Sequence, residues 1–343
     1  MKEENLYDEI MQLCIEQLTM ANKKGGLYKA RYTKNDPKDE NSYNITITEE
    51  QAKKHINALI LPNIPNEYKT CNDIFRRLLI SGQNSGRMMN LISFEKRETQ
   101  FKNILGVDKQ GNVDYKKVIE KYVLEQNEGL KLEDCNKMVR DEAAKILHKD
   151  FFQQIKGERG QIIVIEGDKS DWRKYARLVI DAALLIEENS KNKKNNKGGD
   201  YNTLKGNLDK LKKEGNYNLQ KFIADNVYGI GLALACDFLK EIGYDMAKPD
   251  VHIKEFIKNR LGEEVKEEDK ILEKFDKIAN EEFNKIDRKN TNITEDHKIY
   301  VLDKLIWLCS SGKYYDITAP DGKIFEGIIV TPKSLRELFL DKI

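Results

Sequence analysis

Proline is scarce, with 6 residues in 343, and glycine numbers only 21. A chain this poor in both, yet 39% hydrophobic, is neither collagen-like nor a low-complexity tail and has the profile of a folded protein. Long apolar runs are missing too. None approaches the roughly 18 uninterrupted residues of a membrane span, and Met1 opens onto Lys2, Glu3, Glu4 and Asn5 rather than onto an apolar signal segment. The expectation is a cytoplasmic monomer with no membrane partner. Cysteine clusters are also absent: Cys14, Cys71, Cys135, Cys236 and Cys309 lie far apart, with no C-x-x-C pair. Zinc and iron–sulfur sites need ligands at short spacing, so no metal is expected and the thiols read as free and mostly buried.

No charge sign dominates, since 59 basic and 58 acidic residues leave a net +1. The distribution is less even. Lys169 to Lys221 carries 13 Lys or Arg against 7 Asp or Glu, whereas Glu263 to Arg288 carries 10 acids against 6 bases. Each run also fits an ordinary solvated helix face.

The length allows two or three lobes, each able to bury a core. Leu6, Ile10, Leu13, Cys14 and Leu18 recur at helical spacing and predict an N-terminal amphipathic helix. A helix from Thr48 through Ile60 closes at Pro62, and Cys71 to Ser81 is a strongly apolar helix. It runs into the polar interruption Ser81-Gly82-Gln83-Asn84-Ser85-Gly86-Arg87, and a further helix starts at Met88. From about 100 to 167 the pattern is mostly helical, with one strand expected at Gln161 to Glu166 from its β-branched run. Asp171 to Glu188 predicts a long helix, followed by a basic loop at Lys191 to Gly199.

Leu219 to Ile257 carries the most information. A short helix, Leu219 to Asn226, meets the tight turn Val227-Tyr228-Gly229-Ile230-Gly231, and a second helix runs from Leu232 to Ile242 with Gly243 as its cap. Lys248-Pro249-Asp250-Val251-His252 then leads into another helix from Ile253. Two glycines flanking one aliphatic residue allow a sharp turn and leave N–H groups exposed at a helix start, where phosphate binds. A plain helix–helix turn has the same pattern.

Taken with the Asp about 20 residues downstream, these residues resemble the helix-hairpin-helix DNA glycosylase superfamily, the endonuclease III-like enzymes. Its signature is a hairpin L-P-G-V-G-x-x-x-A followed by a V-D-x-H segment with the catalytic aspartate. Val227-Tyr228-Gly229-Ile230-Gly231-Leu232-Ala233-Leu234-Ala235 and Pro249-Asp250-Val251-His252 stand in those places. Leu78-Leu79-Ile80-Ser81-Gly82-Gln83 is similar to the family's L-L-x-S-x-Q, whose Gln enters the space left by a flipped base, and Leu305 to Tyr314 resembles the helix of the second lobe. About half the chain is covered, in the family's order.

The resemblance implies a mostly α, two-lobed fold. One lobe spans 72–248, with the hairpin at 219–243 and an insert at about 100–167; the other combines 1–71 with 249–343. It implies Asp250 as the catalytic residue, DNA contacts at Gly229, Ile230, Gly231, Gln83 and Lys248, and a substrate pocket at Asn84, Ser85, Arg87 and His252. Double-stranded DNA is the partner. No cofactor is required, although a monovalent cation at the hairpin turn is compatible with the motif. Departures matter equally: the Schiff-base lysine of bifunctional members is replaced by Ala233, so lyase chemistry is not expected, and the iron–sulfur cysteines are absent.

The implied activity is monofunctional hydrolysis of a base–sugar bond, leaving an abasic site, with the ionised Asp250 stabilising the cationic sugar and orienting water. The long insert and the polar segment 81–87 suggest a pocket remodelled for a bulky phage base such as glucosylated hydroxymethylcytosine, removed in antiviral defence, and 47 Lys against 12 Arg is a balance common in AT-rich bacterial genomes. Repair of an alkylated, deaminated or oxidised base is the alternative. A catalytically inert hairpin module that only holds DNA is the rival of another class, with Asp250 then merely a helix cap.

Overall fold

The computed structural model describes residues 5–23, 29–30, 47–61, 68–84, 88–157, 159–167, 170–192, 199–215, 217–286, 292–318 and 324–330. In chain order its helices are α1 Leu6–Lys23, α2 Glu49–Ile60, α3 Cys71–Gly82, α4 Met88–Ile92, α5 Glu98–Leu105, α6 Tyr115–Ile119 and α7 Lys137–Gln154. There follow α8 Asp171–Asn189, α9 Tyr201–Lys213, α10 Asn218–Asn226, α11 Leu232–Glu241, α12 Val251–Leu261, α13 Glu268–Phe283 and α14 Lys298–Ser311. Among the described residues three strands, β1 Lys29–Ala30, β2 Lys313–Thr318 and β3 Ile324–Ile329, accompany the helices, and the protein is mostly helical. Among the described residues no helix is long and apolar enough to cross a membrane. All five cysteines are free and buried.

Two compact units divide the chain: Asn63–Gly243, and Met1–Pro62 together with Tyr244–Ile343. The divisions thus fall at 62/63 and 243/244, where the sequence reading placed 71/72 and 248/249. Local hydrogen bonds explain the second. The Tyr300 N–H donates to Asp245 at 2.7 Å and the Lys248 N–H to Asp303 at 3.1 Å, so the segment before Pro249 is tied to α14. Lys248 therefore shares a unit with Asp250 and not with the hairpin.

The 63–243 unit is built around α8. Ser170 caps its first turn, and its apolar stripe, including Trp172, Tyr175, Leu178, Val179 and Ala182, is fully buried. Helix α3 starts with a reciprocal cap between Thr70 and Asp73 and lays Leu78 and Leu79 against that stripe. Gly82 permits the close approach: a Cβ there would stand 2.3 Å from Leu178 Cδ1. Residues 100–167, expected as an insert, belong to the same core. Phe101 and Phe151 pack on each other and on Trp172 and Tyr175 with ring centroids 5.5 to 6.5 Å apart, each buried ring contributing about 1.5 to 3 kcal/mol. A π-turn at Glu120–Leu124 lets the Tyr122 hydroxyl reach Asp150 at 2.6 Å.

The strand expected at Gln161 to Glu166 does not form. Ile162 makes only an isolated bridge to Lys156, and Ile162 and Ile165 are exposed while Val164 is buried. β-branched residues favour extended backbone, but a strand needs a paired neighbour, and this segment has only one bridge.

In the other unit the two ends of the chain are stitched together. The Leu6 N–H donates to Glu282 at 3.0 Å, the Tyr7 hydroxyl to Lys298 O at 2.9 Å, and the Gln17 amide to Cys309 O at 2.9 Å. Helix α14 ends at Ser311 with Gly312 in the left-handed region at φ +64°. Lys313 and Tyr314 thus open β2 rather than continuing the helix. The antiparallel sheet has the order β1-β3-β2, with Lys29 and Lys313 both opposite Ile329.

Candidate functional site

Helices α10 and α11 form a hairpin whose connection is short because two residues face inward and two lack side chains. Val227 and Ile230 are buried, and the Ile230 N–H donates to Val227 O at 3.2 Å. Gly229 takes φ +79° at the third position of this turn, as a type II turn requires. Gly231 is the N-cap of α11, with φ −86° and ψ 179° and no side-chain capping bond. The N–H groups of the first α11 turn therefore have no intrahelical acceptor, and they carry the positive end of the helix dipole. Nothing lies within 4 Å of where a Cβ would stand on Gly229 or on Gly231. The turn is thus bare, exposed and electropositive, a form suited to an anion.

Two buried carboxylates fasten the hairpin inside its unit. Asp181, on α8 and 3% exposed, accepts the Tyr228 N–H at 3.1 Å and the Arg177 Nε at 3.0 Å. Arg140 of α7 reaches it at 3.4 Å, and Arg177 also bonds Asp141 and lies 5.9 Å from the Tyr228 ring centroid. Burial pushes the Asp181 carboxyl up, against the pull of Arg177 and Arg140. Asp237, on α11, accepts Asn84 Nδ2 at 3.3 Å and lies 3.8 Å from Arg77.

This architecture decides the standing of the polar segment after α3. Gln83 is buried, and its Oε1 accepts the Phe94 N–H at 2.8 Å. The bond ties the end of α3 to Phe94, just past α4, and engages the amide oxygen inside the protein. Asn84 is half-buried and spent on Asp237. Ser85 and Arg87 lie outside the described residues.

In the other unit Asp250 is the N-cap of α12. Its Oδ1 accepts the His252 N–H at 2.9 Å and the Ile253 N–H at 3.3 Å. Both bonds fall on one oxygen, and Oδ2 has no protein partner among the described residues. His252 is half-buried, with no side-chain hydrogen bond among the described residues. Ala233, half-buried in the first turn of α11, has no amine to form an imine. Comparison with protein-family models, curated proteins and solved structures finds no match.

Sequence reasoning passed over Asp181 and Asp237. Each was visible as an acid within an apolar helical stripe, and Arg177 one turn before Asp181 was the further signal.

Proposed function

We propose that this protein is a monofunctional DNA glycosylase, binding duplex DNA through the α10–α11 turn and hydrolysing a base–sugar bond at Asp250. The observation that carries the proposal is the bare turn: two glycines with no atom within 4 Å of either Cβ position, at the uncapped start of a helix. Such a turn lets a phosphate come within hydrogen-bond reach of backbone N–H groups. Asp250 supports the second half. Its Oδ1 is fixed by two N–H donors, which aims the carboxylate, while Oδ2 is left for the positive charge that grows on a sugar as its base departs. Phosphate binding alone gains nothing from an aimed carboxylate, which favours an enzyme over an inert hairpin module. With Ala233 in the first turn the product is an intact abasic strand.

The base removed is proposed from two groups, a bulky phage base such as glucosylated hydroxymethylcytosine or a small damaged base. Gln83 and Asn84 are engaged inside the protein, so the hydrogen-bonding surface expected for a glucosylated base is smaller than the sequence suggested. The test is incubation with duplexes carrying cytosine, hydroxymethylcytosine, its glucosylated form, uracil or an alkylated purine, followed by alkali to cleave abasic sites. Release of one modified base, without strand breakage before alkali, is the expected result. No release from any duplex refutes the proposal.

A further inference from the structure

The turn between α10 and α11 has a tyrosine where turn geometry favours proline. With Gly229 at φ +79°, Tyr228 is the second residue of a type II turn, the place at which a proline ring presets the backbone. Val227, at φ −121° and ψ 114°, already has the extended backbone a following proline demands. Tyr228 has no ring to lock its φ, and its peptide N–H needs an acceptor. That acceptor is a carboxylate 47 residues away in sequence, Asp181 Oδ2 at 3.1 Å. Asp181 is itself nearly inaccessible and is gripped by Arg177 from the same helix and Arg140 from α7.

We propose that Asp181 is the positioning residue of the phosphate-binding turn: held by Arg177 and Arg140, it fixes the Tyr228 peptide and so keeps Gly229 and Gly231 open to DNA. Asp181 touches no DNA itself and acts through the turn. The inference rests on the reading of that turn as the DNA anchor. It also gives residues 137–154 a role: Arg140, within the segment first read as an insert, supports the anchor.

Charge alone and positioning give opposite signs. Asp181→Ala removes a negative charge, and a purely electrostatic effect tightens DNA binding. A loosened turn weakens it. Duplex affinity at fixed salt is measured for wild type, Asp181→Ala, Gly231→Val, and the double variant Asp181→Ala with Tyr228→Pro. The expected result is a loss of about tenfold for Asp181→Ala, as for a lost hydrogen bond to a charged group. Tyr228→Pro in that background recovers most of it, because the ring restores the backbone and removes the orphaned N–H. A merely structural role for Asp181 gives no such rescue. Should Asp181→Ala not fold, Asp181→Asn keeps the volume and one acceptor oxygen, and a loss of a few-fold is expected. Binding as tight as wild type in the folded Asp181 variant, or failure of the proline to restore it, overturns the inference while a weakened Gly231→Val leaves the anchor standing. Normal binding by Gly231→Val removes the anchor itself, and the inference with it.

Discussion

Gly229 and Gly231 sit two residues apart, both in open space, but their backbones differ, and that difference makes a sharp prediction. At Gly231 the φ of −86° and ψ of 179° suit any residue. No protein atom would meet its Cβ. Gly231→Val should therefore leave folding stability within about 0.5 kcal/mol of wild type, the lost glycine cap offsetting the reduced freedom of the unfolded chain. Gly229 has φ +79°, and Gly229→Val should cost about 1 to 3 kcal/mol. DNA binding separates them from the other side. A β-branched side chain on either glycine occupies the space a phosphate needs and costs one or two charge-assisted hydrogen bonds at about 1.5 to 3 kcal/mol each. Duplex affinity should then fall at least tenfold in both variants. Thermal unfolding by circular dichroism gives the stabilities, and fluorescence anisotropy with a labelled duplex gives the affinities. The reasoning fails if Gly231→Val, folded as stably as wild type, binds DNA as tightly. It fails equally if Gly231→Val is as unstable as Gly229→Val.

Three other outcomes are expected. Burial works against charge on Glu282, but Lys285, the Leu6 N–H and Arg260 outweigh it and hold its carboxyl below the usual range. The stability it contributes is present above about pH 4.3, the ordinary Glu value, and is lost as pH falls through the lowered folded-state value. Glu282→Gln should therefore lower stability near neutrality by roughly 1 to 3 kcal/mol, with the gap to wild type closing in acid; a gap that persists there contradicts the assignment. Borohydride should trap no covalent protein–DNA complex, since Ala233 offers no amine, and a cross-link dependent on another lysine would reverse the monofunctional reading. Asp237→Ala should weaken DNA binding less than Gly231→Val does, because Asp237 braces α11 through Asn84 and Arg77 and not the turn itself; a larger loss would shift the anchor from the turn to α11.

Local rules made most helices legible, and pairing over distance was where they gave out. Thr48 opens α2 and the Gly-x-Gly spacing marks the hairpin turn, both from residues adjacent in sequence. The run at 162–165 looks like a strand because β-branched residues favour extended backbone, but strand identity depends on a partner that local sequence does not name. β2 and β3 went unread for the same reason, since the Leu305 to Tyr314 pattern masked the point where helix gives way to sheet. At the candidate site, Asp250 was legible from Pro249-Asp250 before a helix, and its N-cap geometry follows. The burial of Gln83 was not legible because a glutamine between two helices looks exposed until the Phe94 N–H is found beside it. Asp181 was missed because its value lies in contacts 41 and 47 residues away.

The most direct measurement is single-turnover base release by wild type and Asp250→Asn on the modified duplex that wild type cleaves best. Asparagine is as good an N-cap as aspartate, so α12 and the fold should be undisturbed. DNA affinity should stay within a few-fold of wild type, because the proposed phosphate anchor is the turn and not Asp250. Base release should fall by about a hundredfold or more, since the neutral amide cannot stabilise a cationic sugar. Near-normal release by the asparagine variant would contradict the central role of Asp250, and loss of DNA binding in place of base release would make it a structural residue.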